Sequence, residues 1–156
     1  MKNSDTNSQL TPAAVDVETR PDGTIWLTCP YPPRPAAQSM LAILHERVIA
    51  FPDRALLAER NGGQWCELSY AQAWAKVVRV AKALVDEGIG PDAGVAILCP
   101  KSFQHFQMAF GAQLAGIPVS PISTPYALLS KDHAKLKHAI GLIRPKVLLV
   151  EHFGTY

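Results

Sequence analysis

The sequence predicts an α/β fold: a β-hairpin followed by a parallel β-α-β-α-β unit. Three observations carry that prediction. The apolar run Gly94–Cys99 reads as a strand covered on both faces, and Lys146–Glu151 as a further apolar strand. Segments of helical periodicity alternate with them, which calls for parallel strands joined by right-handed crossovers. Upstream, two strand-like runs flank Asn61-Gly62-Gly63, a strong hairpin signal because these residues tolerate the positive φ of a tight turn.

Taken in order, residues 1–23 are polar and are expected to form a mobile N-terminus. Residues 24–38 are expected to hold a short strand, Thr24–Cys29, after the Pro21-Asp22-Gly23 turn. A connector stiffened by Pro30, Pro32, Pro33 and Pro35 follows. The folded region is expected over residues 39–156. It opens with a helix from Ser39 to Ala50, with Met40, Leu41, Leu44, Val48 and Phe51 at helical spacing, stopped by Pro52-Asp53. The hairpin strands are Ala55–Glu59 and Gln64–Leu68. Ser69 with Gln72 three residues on makes a capping box for the next helix. Its apolar face is expected to be Tyr70, Ala73, Trp74, Val77, Ala81, Leu84 and Val85, and Gly88 and Pro91 end it. Ser102 is expected to cap a helix with Phe103, Phe106, Phe110 and Leu114 in one stripe. Ile117–Ser120 reads as a strand and Pro121–Leu129 as a loop. Ser130 is expected to cap a helix with Leu136, Ile140 and Ile143 inward, before the strand Lys146–Glu151.

Composition narrows the function. A hydrophobic fraction of 48% with 18% charged residues excludes a disordered tail or a charged helical rod. Fifteen basic against thirteen acidic residues give +2, which points to no polyanionic partner and hence no nucleic acid. The opening 23 residues lack the apolar core of a secretory signal, and no run of about 18 apolar residues predicts a membrane span. Cys29, Cys66 and Cys99 are odd in number and far apart, as expected of reduced thiols in a cytoplasmic protein.

No pattern assigns a catalytic, cofactor-binding or metal-binding residue. Gly88-Ile89-Gly90 with Gly94 ends a helix and precedes a strand, the reverse of a phosphate loop. Lys101-Ser102 lies between a strand and a helix start, where an anion could meet free N–H groups, but Cys99-Pro100 replaces the glycines of a Walker loop. An ordinary cap with a solvated lysine is the expectation. Cys99 with His105 loosely resembles a nucleophile elbow without its small flanking residues, and reads as a buried structural thiol. His133 and His138 are five apart, on different helix faces, and His45, His105 and His152 have no partner at ligand spacing. Lys131, Lys135, Lys137, Arg144 and Lys146 read as a solvated basic face, and Tyr70 and Trp74 as core.

The order of segments resembles the N-terminal part of the adenylate-forming acyl- and aryl-CoA ligases. The stretches that carry it are FPDRALLAERNGGQWCELSYAQAWAKVVRVAKALVDEGIGPDAGVAILCPKS and FQMAFGAQLAGIPVSPISTPYALLSKDHAKLKHAIGLIRPKVLLVE. Within them stand Pro52-Asp53, Leu68-Ser69-Tyr70, Val95-Ala96-Ile97 with Lys101-Ser102, and Ala115-Gly116-Ile117-Pro118-Val119. The early PDGTIWLTCPYPP and the STPYALLSKDHAKLKH stretch look most like feruloyl-CoA synthases. The family's usual Gly-Asp-x-Val before the central strand is displaced, with Asp92 and Gly94 standing instead, and Lys101 replaces a frequent Asn.

The resemblance implies a truncated N-terminal subdomain of an enzyme that adenylates a carboxylate with ATP and Mg, then passes the acyl group to CoA. The acid would be a hydroxycinnamate or another aryl or acyl acid. The family's Ser/Thr/Gly-rich phosphate loop ending in Pro-Lys, its adenine and ribose motifs and its C-terminal lysine match nothing here. The chain alone is therefore expected to be inactive, to bind no cofactor itself, and to expose apolar surface that a missing C-terminal segment would cover. The alternative is a stand-alone α/β binding or interaction module without catalysis.

Overall fold

The computed structural model describes residues 14–31 and 39–151. It divides into two units, Met1–Ala36 and Ala37–Tyr156. The expected mobility of residues 1–13, the prolines at 32, 33 and 35, and His152 lie outside the described residues.

The first unit is an antiparallel hairpin of β1 (Asp16–Thr19) and β2 (Ile25–Thr28). Strand β1 falls inside the stretch expected to be a mobile polar N-terminus and corrects that reading for its second half. The signal was present: Val15 and Val17 alternate with acids, the period of a half-buried strand. Val17 pairs with Leu27 and Thr19 with Ile25 on one face, while Glu18 pairs with Trp26 on the other. The turn is closed by Gly23 at φ +85° and by Asp22 Oδ1, which accepts from the Thr24 N–H at 2.9 Å.

The second unit begins with α1 (Met40–Ala50), where Ser39 Oγ accepts from the Ala42 N–H at 3.1 Å. Strands β3 (Ala55–Asn61) and β4 (Gln64–Ser69) then pair antiparallel. The two turn residues are Gly62 and Gly63, at φ +56° and +84°, the pair of positive values a type I′ turn requires. Asn61 itself pairs with Gln64, so the strands run further than the sequence suggested.

Helix α2 (Tyr70–Asp86) carries the full capping box. The Gln72 N–H donates to Ser69 Oγ, and Gln72 Oε1 accepts from the Ser69 N–H at 3.0 Å. Ala73, Val77, Ala81 and Leu84 are buried. Val85, expected on that face, is 56% exposed. The Gly88 N–H reaches the Val85 carbonyl and the Ile89 N–H the Leu84 carbonyl, a Schellman stop.

The core lies around β5 (Gly94–Leu98), the centre of a parallel sheet ordered β6 (Val119–Pro121), β5, β7 (Pro145–Val150). Val95, Ile97 and Cys99 face one way, into a cluster with Leu84 of α2 and Ala112 of α3 (Phe103–Leu114). Ala96 and Leu98 face the other way, against Ala127 of α4 (Pro125–Leu128) and Leu136, Ile140 and Ile143 of α5 (Ala134–Ile143). Two-sided burial is what the unbroken apolar run demanded. Helix α3 approaches α2 closely at Gly111, where a Cβ would stand 2.6 Å from Val80 Cγ1.

Several boundaries differ from the sequence reading. The second parallel strand starts at Val119, because the Ile117 N–H is still held by the Ala112 carbonyl at the end of α3. Part of the expected Pro-rich loop is the short helix α4. Ser130 does not cap α5. Its Oγ accepts from the His133 N–H, while Asp132 Oδ1 accepts from the Ala134 N–H and the Ser130 hydroxyl. That local network holds residues 130–133 in a turn, and the helix starts only after His133, whose φ is +53°. Among the described residues no helix is long and apolar enough to cross a membrane.

Candidate functional site

The chain leaving β5 enters α3 on one face of the sheet, and the chain leaving β6 enters α4 and α5 on the other. Where successive connections part in this way, a crevice opens at the carboxyl ends of the strands. Cys99, Pro100, Lys101 and Ser102 stand there, as the link from β5 to α3.

The start of α3 is closed by the protein's own groups. Ser102 Oγ accepts from the His105 N–H at 3.2 Å, as a cap does. Glu59, brought by β3 from 44 residues upstream, accepts from the Phe103 N–H through Oε2 at 2.7 Å. A carboxylate here is favourable to the helix dipole. It also disfavours a second anion at the same N–H group. Lys101 is exposed and has no ion-pair partner among the described residues. Glu59 is the residue at this helix start that sequence reasoning missed; its partner is too distant in the chain to leave a local signal.

Cys99 is buried, with Sγ 3.9 Å from His105 Nδ1. Burial pushes the thiol up from its ordinary range; a hydrogen bond with Ser102 works against this, and the charge of Glu151 works with it. Burial thus favours the protonated form of the Cys99 thiol over the thiolate. It lines a cavity of about 210 Å³ with Gln104 and Glu151.

The other residues weighed from sequence disperse. His45 lies against Trp74, ring centres 5.1 Å apart. His138 is exposed on α5, and His133 Nδ1 is buried without a hydrogen-bond partner. Lys131, Lys135, Lys137, Arg144 and Lys146 are all exposed; Lys137 Nζ donates to the Asp132 carbonyl. Gly88 serves the helix stop described above.

The expected apolar stripe of α3 is only partly covered. Leu114 is 38% exposed, because Gly111 and Ala112 form the face buried against α2 and β5. Phe103, Phe106 and Phe110 are half-buried and line a cavity of about 370 Å³ between α3 and β3. Phe106 and Phe110 stack with ring centres 4.5 Å apart. Leu57, Ala58, Glu59, Lys101, Ser102 and His105 also line the cavity.

Residues 44–155 match the family model described as AMP-binding enzyme. CymA of Salinispora arenicola, named as a probable nonribosomal peptide synthetase, is 29% identical over 123 residues; the match covers 78% of this chain and 2% of that protein. Among solved structures, the fatty acid AMP ligase of Legionella pneumophila superposes with a TM-score of 0.64 at 21% identity, over 73% of this chain and 20% of that one. The fatty acyl CoA synthetase of Mycobacterium tuberculosis gives a TM-score of 0.58 at 25% identity, over 69% of this chain and 20% of its own. The chain thus spans about a fifth of those two solved proteins and far less of the peptide synthetase. Its fold is that of the N-terminal subdomain of adenylate-forming ligases.

Proposed function

The chain belongs to the AMP-binding enzyme family, and from that membership we propose that it is the N-terminal region of an ATP-dependent acid–CoA ligase. In this reading a carboxylate oxygen attacks the α-phosphorus of Mg-bound ATP and pyrophosphate leaves. The CoA thiol then attacks the acyl carbon and AMP leaves. The acid is a hydroxycinnamate or a related aryl or acyl acid, and the reaction takes place in the cytoplasm. The match over residues 44–155 is the observation that supports the adenylation step of the reading. The likeness of PDGTIWLTCPYPP and STPYALLSKDHAKLKH to feruloyl-CoA synthases favours a hydroxycinnamate.

These 156 residues contribute scaffold rather than chemistry, and no residue here is assigned to ATP, Mg or CoA. One N–H group at the start of α3 is taken by Glu59, and burial favours the protonated Cys99 thiol. A C-terminal segment carrying the phosphate loop is the proposed partner of this region.

Two measurements test this. Incubated with ATP, Mg²⁺, CoA and ferulate, the 156 residues alone are expected to release no pyrophosphate and form no feruloyl-AMP or thioester; product would overturn the scaffold role. The DNA beyond the codon for Tyr156 is expected to encode a Ser/Thr/Gly-rich loop ending in Pro-Lys. Its absence there in every frame would overturn the assignment to a ligase.

A further inference from the structure

The small net charge of the chain conceals an uneven distribution. Residues 124–146 hold Lys131, Lys135, Lys137, Arg144 and Lys146 against one acid, Asp132, so this stretch carries +4 and the rest of the chain −2. All five cations are exposed. Asp132 does not pair with the lysines near it. Its carboxylate accepts from the Ala134 N–H and the Ser130 hydroxyl, and among the described residues it forms no ion pair. Lys137 Nζ donates to the Asp132 carbonyl at 3.0 Å, a neutral acceptor that leaves the ammonium charge in place.

An apolar tip lies beside these cations. Leu129, which follows directly on α4, is 82% exposed, and Tyr126 and Leu128 are exposed with it. Lys135 Nζ stands 5.7 Å from the centre of the Tyr126 ring, and Tyr126, Leu129 and Lys135 border one groove. The tip is held firmly by its neighbours. Ala127 is buried against the sheet, and Leu136, Ile140 and Ile143 pack α5 on the same face. Leu128 and Leu129 thus stand outside a core that the residues around them enter.

A partner for this surface has to be anionic and has to take apolar side chains that protrude. A soluble acidic ligand meets only the first need. An anionic bilayer meets both: headgroups face the ammonium groups, the interface takes the tyrosine, and the acyl boundary takes the leucines. We propose that the junction of α4 and α5 docks on an anionic lipid surface, with Leu128 and Leu129 entering the acyl boundary and Lys131, Lys135 and Lys137 against the headgroups. The docking is peripheral and does not rest on the ligase reading.

Vesicle flotation of the 156-residue chain tests this, with phosphatidylcholine alone and with equal parts phosphatidylcholine and phosphatidylglycerol. Binding to the mixed vesicles is expected, with little to the neutral ones, and added salt should weaken it. Lys131→Gln and Lys135→Gln should each weaken it about fivefold. Leu129→Ser should weaken it about tenfold and leave the thermal midpoint near that of the parent chain, because the side chain removed is exposed. Ile49→Ser removes an exposed apolar group from α1, which packs on α2, and should leave vesicle binding unchanged. No binding to the mixed vesicles, equal binding to both kinds, or binding untouched by Leu129→Ser would each overturn the proposal. Soluble polyglutamate bound as tightly as the mixed vesicles would overturn it in favour of an acidic protein. A dimer that forms without vesicles and dissociates on Leu129→Ser would assign the surface to a second copy of the chain instead.

Discussion

Gly111 and Cys99 show how single side chains are held by what surrounds them. At Gly111 the neighbour in the way is the β-branched Val80, with the Val77 carbonyl behind it, and neither is a flexible chain end. Gly111→Ala gains helix propensity but must push α3 off α2. Overpacking of this kind costs about 1–3 kcal/mol, so the variant is expected to unfold at lower denaturant concentration; an unchanged midpoint would mean that the two helices separate freely. At Cys99 burial raises the folded thiol's pKa above its unfolded value of about 8.5. The stability linked to that proton is whole below about pH 8.5 and is lost as pH rises through the folded value. Cys99→Ala should therefore show a shallower alkaline decline in unfolding free energy than the parent chain. Parallel profiles for the two would show that the thiol ionises as freely inside the fold as outside it.

At the scale of elements, local chemistry explains both what could be read in the sequence and what could not. The capping box at Ser69, the glycine stop at Gly88 and the apolar run of β5 act within a few residues, and all appear where the residues place them. The start of α5 was misread because Ser130 and Asp132 satisfy each other and the next N–H groups in a turn, which competes with the helix. The α3 stripe was legible, but the face of that helix buried deepest, Gly111-Ala112, was not, because it depends on meeting α2, a tertiary fact. The end of α5 carries strain that periodicity does not reveal. Arg144 sits at φ +46°, ψ +54°, with its N–H bonded to the Ile140 carbonyl. A left-handed non-glycine residue costs about 1–2 kcal/mol, offset in part by the greater freedom of an unfolded glycine. Arg144→Gly is thus expected to raise the thermal midpoint by a few degrees. A fall would show that the arginine side chain, not the backbone, sets the stability of that turn.

Over the whole molecule, apolar surface is unevenly covered. The centre of the sheet is sealed on both faces by α2, α3, α4 and α5. Yet Leu142 of α5 is 71% exposed and Leu148 of β7 is 46% exposed, and β6 and β7 each leave one edge unpaired within the described sheet. Uncovered leucines beside an unpaired edge invite association. The chain is expected to enhance the fluorescence of an apolar dye and to sediment as larger species with rising concentration; Leu142→Lys with Leu148→Lys should reduce both. Dye response unchanged by the pair would place the accessible apolar surface elsewhere.

The bond from Glu59 to α3 also bears on how the hairpin finds its pairing. A slip of one residue in a strand sends every side chain to the opposite face. With β3 shifted by one, Ala58 or Arg60 would arrive at the first turn of α3. Ala58 would leave the Phe103 N–H without its carboxylate, and Arg60 would set a cation against the positive end of a dipole. The tie thus favours one register: of the neighbouring alignments, only the native one brings an acid to the helix.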